Sequence, residues 1–324
     1  MVTLVTGGTG LVGNNTVRCL LARGFSVRVL ARDCADARPL AGLDVEIIRG
    51  DVRDRKAVCL AMRGTNCVVH AAAHVRIGWT GLEAARAINV EGTRNIAAAA
   101  HAEGAKLVHV SSVDALGEAL GGIPADEETK VVGGVLCPYV VTKRESEQVV
   151  LEFVAKGLDA TIVNPAFMIG PNDWKPSSGR MLLHVARGWG LFAPLGTNNY
   201  CDVRDVAAGI ISAAEFGKPG RRYILGGEKL SYFQAWRIFA EVTGGTPPVF
   251  PAGPMARGIA GLFGDLATKL TGRETDVNSA ATSISGQARN VTSARAAAEL
   301  DYRPRPLREA AADAWVWFHQ HGYA

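Results

Sequence analysis

Val2-Thr3-Leu4-Val5-Thr6-Gly7-Gly8-Thr9-Gly10-Leu11-Val12-Gly13 is the stretch that decides how the chain is read. Val2 to Val5 is an unbroken, β-branched apolar run, the pattern of a strand buried on both faces of a parallel sheet. From Leu11 onward the apolar residues Leu11, Val12, Val17, Leu20 and Leu21 fall on one helical side. The glycines between satisfy two spacings. Gly8, Gly10 and Gly13 fit G-x-G-x-x-G, while Gly7, Gly10 and Gly13 fit G-x-x-G-x-x-G. A loop this tight, whose backbone must approach a pyrophosphate, has no room for Cβ atoms. The exposed N–H groups and positive end of the next helix then face the phosphates. Strand, glycine loop and helix in this order make Gly7, Gly8, Thr9, Gly10, Leu11, Val12 and Gly13 candidate dinucleotide contacts.

Outward from the loop, strand and helix patterns alternate. Ser26–Leu30, Val45–Ile48, Cys67–His70, Lys106–Val110 and Ala160–Val163 read as strands two to six. Val52–Met62, Leu82–Ala102 and about Tyr139–Lys156 read as helices, with a loop containing Gly121, Gly122 and Pro124 before the last. Such alternation implies parallel βαβ units. The expected fold class is α/β: a Rossmann-type doubly wound parallel sheet over residues 1–165, followed by a smaller C-terminal substrate-binding lobe over 166–324. In that lobe short elements recur at Val203–Phe216 and Arg222–Leu225, and some can return to the main sheet. Gly253–Gln287, rich in Ala, Gly and Ser, is the least legible stretch.

With 324 residues, 48% hydrophobic and 20% charged, the chain can bury a sizeable core. A formal net charge of +4, without a basic run interleaved with aromatics, gives no footprint for nucleic acid. The six cysteines lack C-x-x-C spacing, which favours free thiols in a reducing, cytoplasmic setting over disulfides or a metal site. No leader pattern and no apolar run of membrane-spanning length is read.

Individual residues then suggest chemistry. Arg32 stands at the end of the second strand, one place ahead of Asp33. An acid there receives the adenosine ribose hydroxyls, whereas an arginine accommodates a 2′-phosphate by a forked, stacking contact. NADP is therefore preferred, with NAD the alternative. Asp51, in Gly50-Asp51-Val52, can accept from the adenine amino group or cap the helix that follows. Ala71, Ala72 and Ala73 let the loop after the fourth strand pass close to a cofactor, and His70 before them reads equally as a packed strand-end residue. Asn89 is unfavourable in mid-helix, so it reads either as a support behind the site or as a surface residue.

The strongest catalytic signal is Tyr139-Val140-Val141-Thr142-Lys143, whose i, i+4 spacing puts Tyr and Lys on one helical face. A free tyrosine, with a pKa of about 10, is a poor acid or base at neutral pH. A neighbouring ammonium and a cationic nicotinamide favour the phenolate, and a drop of about three units takes about 4 kcal/mol. Ser111-Ser112 follow the fifth strand, where a hydroxyl can hold a substrate oxygen against Tyr139.

Together TGGTGLVG, GDV, HAAA, NVEGT, VSSVDALG, YVVTK, NPAFMIGP and DVRDVA, with the later YILGG and YRPRP, cover nearly the whole chain. In these segments it resembles the extended short-chain dehydrogenases/reductases of the NAD-dependent epimerase/dehydratase type. Within them it looks like the dihydroflavonol-reductase-like and hopanoid-associated sugar-epimerase-like branches. The resemblance implies a triad of Ser112, Tyr139 and Lys143, with Ser112 rather than Ser111 at the second hydroxyl position. It further implies Asn164, Pro165, Ala166 and Phe167 beside the nicotinamide, and a homodimer through the Tyr139 helix and the long helix before the fifth strand. The outward candidates for that contact are Val149, Val150, Phe153 and Ile96 to Ala100.

Two departures bear on substrate. Nucleotide-sugar epimerases commonly carry Arg-Asp-aromatic where this chain has Asn198-Asn199-Tyr200, and a neutral amide cannot grip a pyrophosphate. Arg180, Arg187 and Arg204 are the candidates to replace it. Asp114, two places beyond Ser112, reads as an extra acid or as a solvated loop residue. The segments that can reach a pocket outside the strands' carboxyl ends supply Val75, Ile77, Trp79, Val113, Phe167, Met168, Trp174, Trp189 and Phe192. The leading expectation is an NADP-dependent reductase of a small carbonyl compound with Tyr139 as proton donor. A nucleotide-sugar epimerase or dehydratase is the alternative, and a non-catalytic dinucleotide sensor the second alternative.

Overall fold

The computed structural model describes residues 1–118, 122–130 and 134–324; Gly121, read above as part of a loop, lies outside the described residues. β1 (Val2–Thr6) is an interior strand of a seven-stranded, wholly parallel sheet. On one side of it lie β2 (Ser26–Ala31) and β3 (Val45–Arg49). On the other lie β4 (Cys67–His70), β5 (Lys106–Val110) and β6 (Ala160–Pro165). Alternate β1 side chains enter separate cores. Leu4 is fully buried with Met62, Ile96 and Val150, and Val5 is fully buried with Val17, Val29 and Ile210. An unbroken apolar run is what such two-sided burial requires.

The first core lies under α1 (Leu11–Ala22). The second lies under α2 (Arg55–Met62), α4 (Gly92–Glu103) and α5 (Pro138–Val154). α2 starts three residues later than the sequence suggested. Its cap is Asp54, which accepts from the Lys56 N–H at 2.8 Å, so Asp51 is not the capping residue. The long helix starts as α3 (Leu82–Arg86) and passes through a π-type turn at Ala87–Glu91 into α4. Asn89 lies in that turn, and such bulges gather at functional sites. Val149, Val150, Ile96, Ala97, Ala99 and Ala100 are buried within the chain's own core. They form no outward face, because the Ala-rich side of α4 packs onto the sheet.

The second half contributes to both layers. β7 (Phe167–Ile169), α6 (Gly179–Ala186), β8 (Phe192–Pro194) and β9 (Thr197–Asp202) begin the lobe. α7 (Val203–Phe216) then packs beside α1, and β10 (Arg222–Leu225) returns to the main sheet beside β6. β11 (Glu228–Ser231) pairs with β9, and α8 (Tyr232–Thr243) leads to β12 (Phe250–Ala252), which pairs with β8. Gly253–Gln287 resolves into a hairpin of α9 (Pro254–Thr271) and α10 (Ser279–Ile284). α11 (Ala294–Leu300) and α12 (Leu307–Gln320) close the chain, and α12 shares a core with α6 and α8.

Candidate active site

The glycine loop closes against its own strand. Gly7 has φ +72°, and a Cβ there would lie 2.6 Å from the Ala72 nitrogen. A Cβ on Gly13 would lie 2.2 Å from the Gly7 carbonyl oxygen. Packing therefore accounts for these two. Gly10 is different: it is exposed, its Cβ would meet nothing closer than 3.4 Å, and as the first residue of the α1 turn it supplies no capping side chain. The first N–H groups of a helix have no partner within it, so this uncapped, exposed start of α1 is a seat suited to an anion. Thr9, Leu11 and Val12 are only partly buried around this seat.

Arg32 is exposed at the end of β2; the Asp51 carboxyl is held below its ordinary range chiefly by its hydrogen bonds from Arg53, against burial, with the Arg32 charge a minor contribution. Arg53 binds Asp51 through two contacts of 2.9 Å. Sequence reading passed over Arg53, although its place directly after Gly50-Asp51-Val52 could have signalled it. Val52 is buried against Gly92, where a Cβ would come within 2.7 Å.

After β4, the Thr6 hydroxyl accepts from the Ala72 N–H at 3.3 Å and donates to His70 Nδ1 at 2.7 Å. His70 Nε2 meets the Thr93 hydroxyl at 3.0 Å, and burial lowers its pKa to about 3. With both nitrogens engaged and no charge at neutral pH, His70 is a packed strand-end histidine. Ala71 lies against Gly7, and Ala73 remains partly open. Asn89 is buried in the π-type turn. It accepts from the His74 N–H at 2.6 Å, donates to the His74 carbonyl at 3.2 Å and donates to the Thr142 hydroxyl at 2.9 Å. It thereby ties the loop after β4 to the helix that carries Tyr139.

Ser112, Tyr139 and Lys143 come together where β5 ends over α5. All three are buried. Lys143 donates to the Val110 carbonyl at 2.8 Å, and burial lowers its pKa to about 8. Tyr139 is pushed above its ordinary range, chiefly by burial and then by the Asp114 carboxylate, against smaller lowering contributions from the Ser112 hydroxyl and Arg289. The protein's own groups thus hold a neutral phenol, not the phenolate that the sequence argument favoured. Burial outweighs the ammonium four residues on, whose proton is committed to a carbonyl.

The Ser112 hydroxyl donates to the Asp114 carboxylate and accepts from the Asp114 N–H, each at 3.1 Å. Asp114 also pairs with Arg289, a residue of the C-terminal lobe that the sequence reading missed. Arg289 sits 175 positions further along, so no local spacing could reveal the pair. Behind Ser112, Tyr139 and Lys143, Asn164 donates to the Ser112 carbonyl at 2.9 Å and to Glu147 at 2.7 Å, and Glu147 is paired with Arg222. The Asn164 side-chain oxygen and the Ser111 hydroxyl are buried without a partner. Pro165 and Ala166 are buried beside them.

The remaining candidates divide. Val113 is buried beside Ser112, and Phe167 lies 5.2 Å from the Tyr200 ring and 6.3 Å from that of Tyr232. Asn198 donates to the Tyr232 hydroxyl at 3.4 Å. Trp79 donates to Ser279 of α10 at 2.7 Å, and Ala280 and Ile284 of α10 pack with Tyr139 and Ile77. Met168 lines the main core. Val75 is largely exposed. Trp174 packs on Trp317 and His321 under Arg38, and Trp189 stands exposed against His184, so neither joins the Tyr139 cluster. Arg180 pairs with Asp276, Arg204 with Asp202 and Asp313, and Arg187 donates to the Tyr323 carbonyl.

Comparison with known proteins places this arrangement. Residues 3–226 match the model of the NAD dependent epimerase/dehydratase family. The chain belongs to that family. It is 36% identical to the sterol demethylase protein B of Methylococcus capsulatus, over 99% of each chain. It is also 36% identical to a putative dihydroflavonol 4-reductase of Synechocystis, covering 98% of this chain and 95% of that one. Among solved structures, gox2253 superimposes with a TM-score of 0.86 at 37% identity, over 99% of this chain and 98% of the other. As an epimerase/dehydratase-family member, the chain is an enzyme of the extended short-chain dehydrogenase/reductase type that binds an NAD(P) dinucleotide and acts on small molecules. The residues fit such a group: the open Gly10 seat suits its pyrophosphate, and the unpartnered Ser111 and Asn164 groups lie where strands β5 and β6 end. Among the described residues no helix is long and apolar enough to cross a membrane.

Proposed function

We propose that this family member is an NADP-dependent reductase of an apolar, alicyclic or aromatic carbonyl compound. The observation that carries the reading is a neutral, buried Tyr139 packed among the apolar side chains of Ile77, Val140, Ala280 and Ile284, while Arg180, Arg187 and Arg204 are engaged elsewhere. A protonated phenol is the form that donates to a carbonyl oxygen. The bound nicotinamide supplies the hydride. Ser112 turns its hydroxyl from Asp114 to the substrate oxygen and orients it, and Tyr139 delivers the proton to that oxygen. Lys143 as an ammonium holds the ribose side of the site and stabilises the developing phenolate. Ile77, Ala280 and Ile284, which pack with Tyr139, exclude water around the carbonyl. That one full-length relative is named for sterols supports an apolar substrate.

The NADP preference rests on Arg32, exposed at the end of β2, which can fork onto a 2′-phosphate. We place the protein in the reducing cytoplasm, in keeping with its six free cysteines. The association we propose is a homodimer through the outward, charged sides of the α4 and α5 region. There Arg86 meets Glu145 and Arg94 meets Glu152, in place of the apolar residues that the core consumes. A monomer by light scattering at micromolar concentration removes the dimer.

The test of function is a screen of steroid and aromatic ketones for NADPH oxidation, with Tyr139→Phe as control. Tyr139→Phe is expected to bind NADPH normally and to lose about a hundredfold or more in turnover. Tight binding of uridine diphosphate to the NADP complex by calorimetry overturns the reading in favour of a nucleotide-sugar epimerase.

A further inference from the structure

Helix α9 inverts the usual arrangement of large and small residues. Its small residues face inward: Gly261 and Gly264 are buried, and a Cβ on Gly264 would lie 1.6 Å from the Val277 carbonyl oxygen. Its large ones face out. Met255, Ile259, Leu262, Phe263, Leu266 and Leu270 are all between 50% and 80% exposed. They recur at i, i+4, i+7, i+8, i+11 and i+15, which is one stripe about 100° wide. A single exposed leucine needs no explanation, but six large apolar side chains in register do. The apolar surface continues towards the chain before the helix, where exposed Phe250 stacks on exposed Phe192 at 5.8 Å.

Charge indicates what covers the stripe. Between Val249 and Arg273 the chain carries three cations, Arg257, Lys269 and Arg273, and one acid, Asp265. The Asp265 carboxylate is turned inward and accepts from the Ser279 N–H at 3.0 Å. Lys269 and Arg273 are exposed at the C-terminal end of the stripe. A second copy of the chain would offer these cations no free acid on its own stripe to match them. An anionic lipid surface meets both features, taking the apolar stripe into its interfacial zone and the cations at its headgroups. α10 lies between this stripe and Tyr139, since Ala280 and Ile284 belong to the Tyr139 cluster. A bilayer against the outer face of α9 is therefore separated from the phenol only by α9 and α10.

We propose that the outer face of α9 docks on an anionic lipid bilayer, from which the enzyme takes its carbonyl substrate. The origin of the substrate rests on the apolar-carbonyl reading above; the docking does not. The experiment is flotation of the full chain with phosphatidylcholine vesicles, with and without phosphatidylglycerol. The wild type should float with the anionic vesicles, and about tenfold less with phosphatidylcholine alone or at high salt. A Phe263→Asp/Leu266→Asp double variant should lose about tenfold or more in binding, and Lys269→Glu about fivefold or more. Both should keep the wild-type melting temperature and NADPH affinity, since none of these side chains is in the core.

Failure of the wild type to float with anionic vesicles overturns the proposal, as does equal flotation of the double variant. A wild-type dimer that the double variant converts to a monomer, without vesicle binding, assigns the face to a second copy and also overturns it. Vesicle binding together with inertness towards every apolar carbonyl sinks the functional reading and leaves the docking standing.

Discussion

The floor and the roof of the site use their residues in opposite ways. In the floor, formed by the glycine loop and α5, small and polar residues are clasped from several sides. Gly13 touches the Gly7 carbonyl, and Lys143 is buried onto the Val110 carbonyl. In the roof, formed by α9 and α10, glycines bring two helices together and the large apolar side chains are left outside. The floor is specified by geometry that only certain residues satisfy. The roof is held by close backbone approach, and its outer face answers to something beyond the chain. Substitutions should therefore act differently in the two regions.

The largest effect belongs to Gly13→Ala. The added Cβ meets the Gly7 carbonyl oxygen at 2.2 Å, between two backbone segments that cannot yield separately. A loss of about 4 kcal/mol or failure to fold is expected, read by thermal unfolding. Gly10→Ala makes the contrast. Its Cβ meets no atom within 3.4 Å, so the fold should persist while NADPH affinity falls, as titration of NADPH fluorescence would report. If Gly10→Ala binds NADPH as the wild type does, the open seat at α1 is not where the pyrophosphate lies.

Next in size is a pH dependence that only the buried floor should show. The Lys143 ammonium titrates at about 8 in the folded chain, and burial is the cause. A free lysine titrates near 10.4. Between these values the unfolded chain binds more protons, so the contribution of Lys143 makes stability rise with pH there, by about 3 kcal/mol in all. Activity that needs the ammonium should fall over the start of the same range. The check is the difference in unfolding free energy between the wild type and Lys143→Met, followed from pH 7 to 10. A flat difference means that Lys143 is solvated, and the relay would need another explanation.

Much of the floor was legible in the sequence because its constraints are local. Val2–Val5, the glycine spacing and Tyr139 to Lys143 each signal their structure within a dozen residues. Arg289 was not legible, since its pairing with Asp114 depends on how the lobe folds back over β5. Nor was the inward face of α4. Ile96 to Ala100 suit a dimer contact as well as a core, and only the position of the sheet decides between them. The roof was the hardest to read. Gly258, Gly261 and Gly264 lower helix propensity across α9, so the apolar period of Leu262, Leu266 and Leu270 did not stand out. Which side of that period is covered depends on a tertiary contact that glycine permits and periodicity cannot report.

Within the roof, Gly264→Ala should cost about 1–3 kcal/mol. Its Cβ forces α9 away from the Val277 carbonyl, while the gain in helix propensity offsets part of the loss. Unlike Gly13→Ala, it should leave NADPH affinity unchanged, because α9 does not touch the glycine loop. Loss of NADPH binding in this variant would mean that floor and roof fold as one unit, and the contrast drawn between them would fail.

The smallest effect is the most specific to the roof's outer side. Gly258 lies inside α9 on an exposed turn, and a Cβ there meets no atom within 4 Å. With no steric term, Gly258→Ala should express helix propensity alone and stabilise by about 0.5–1 kcal/mol. In a chain of this size that is a rise of about 1 °C in melting temperature. The same glycine-to-alanine change thus has opposite signs six residues apart on one helix, unfavourable at Gly264 and favourable at Gly258. A fall in melting temperature for Gly258→Ala would mean that a partner surface of this chain approaches the outer turn closely. A second copy would then be the occupant of the face, not a lipid surface.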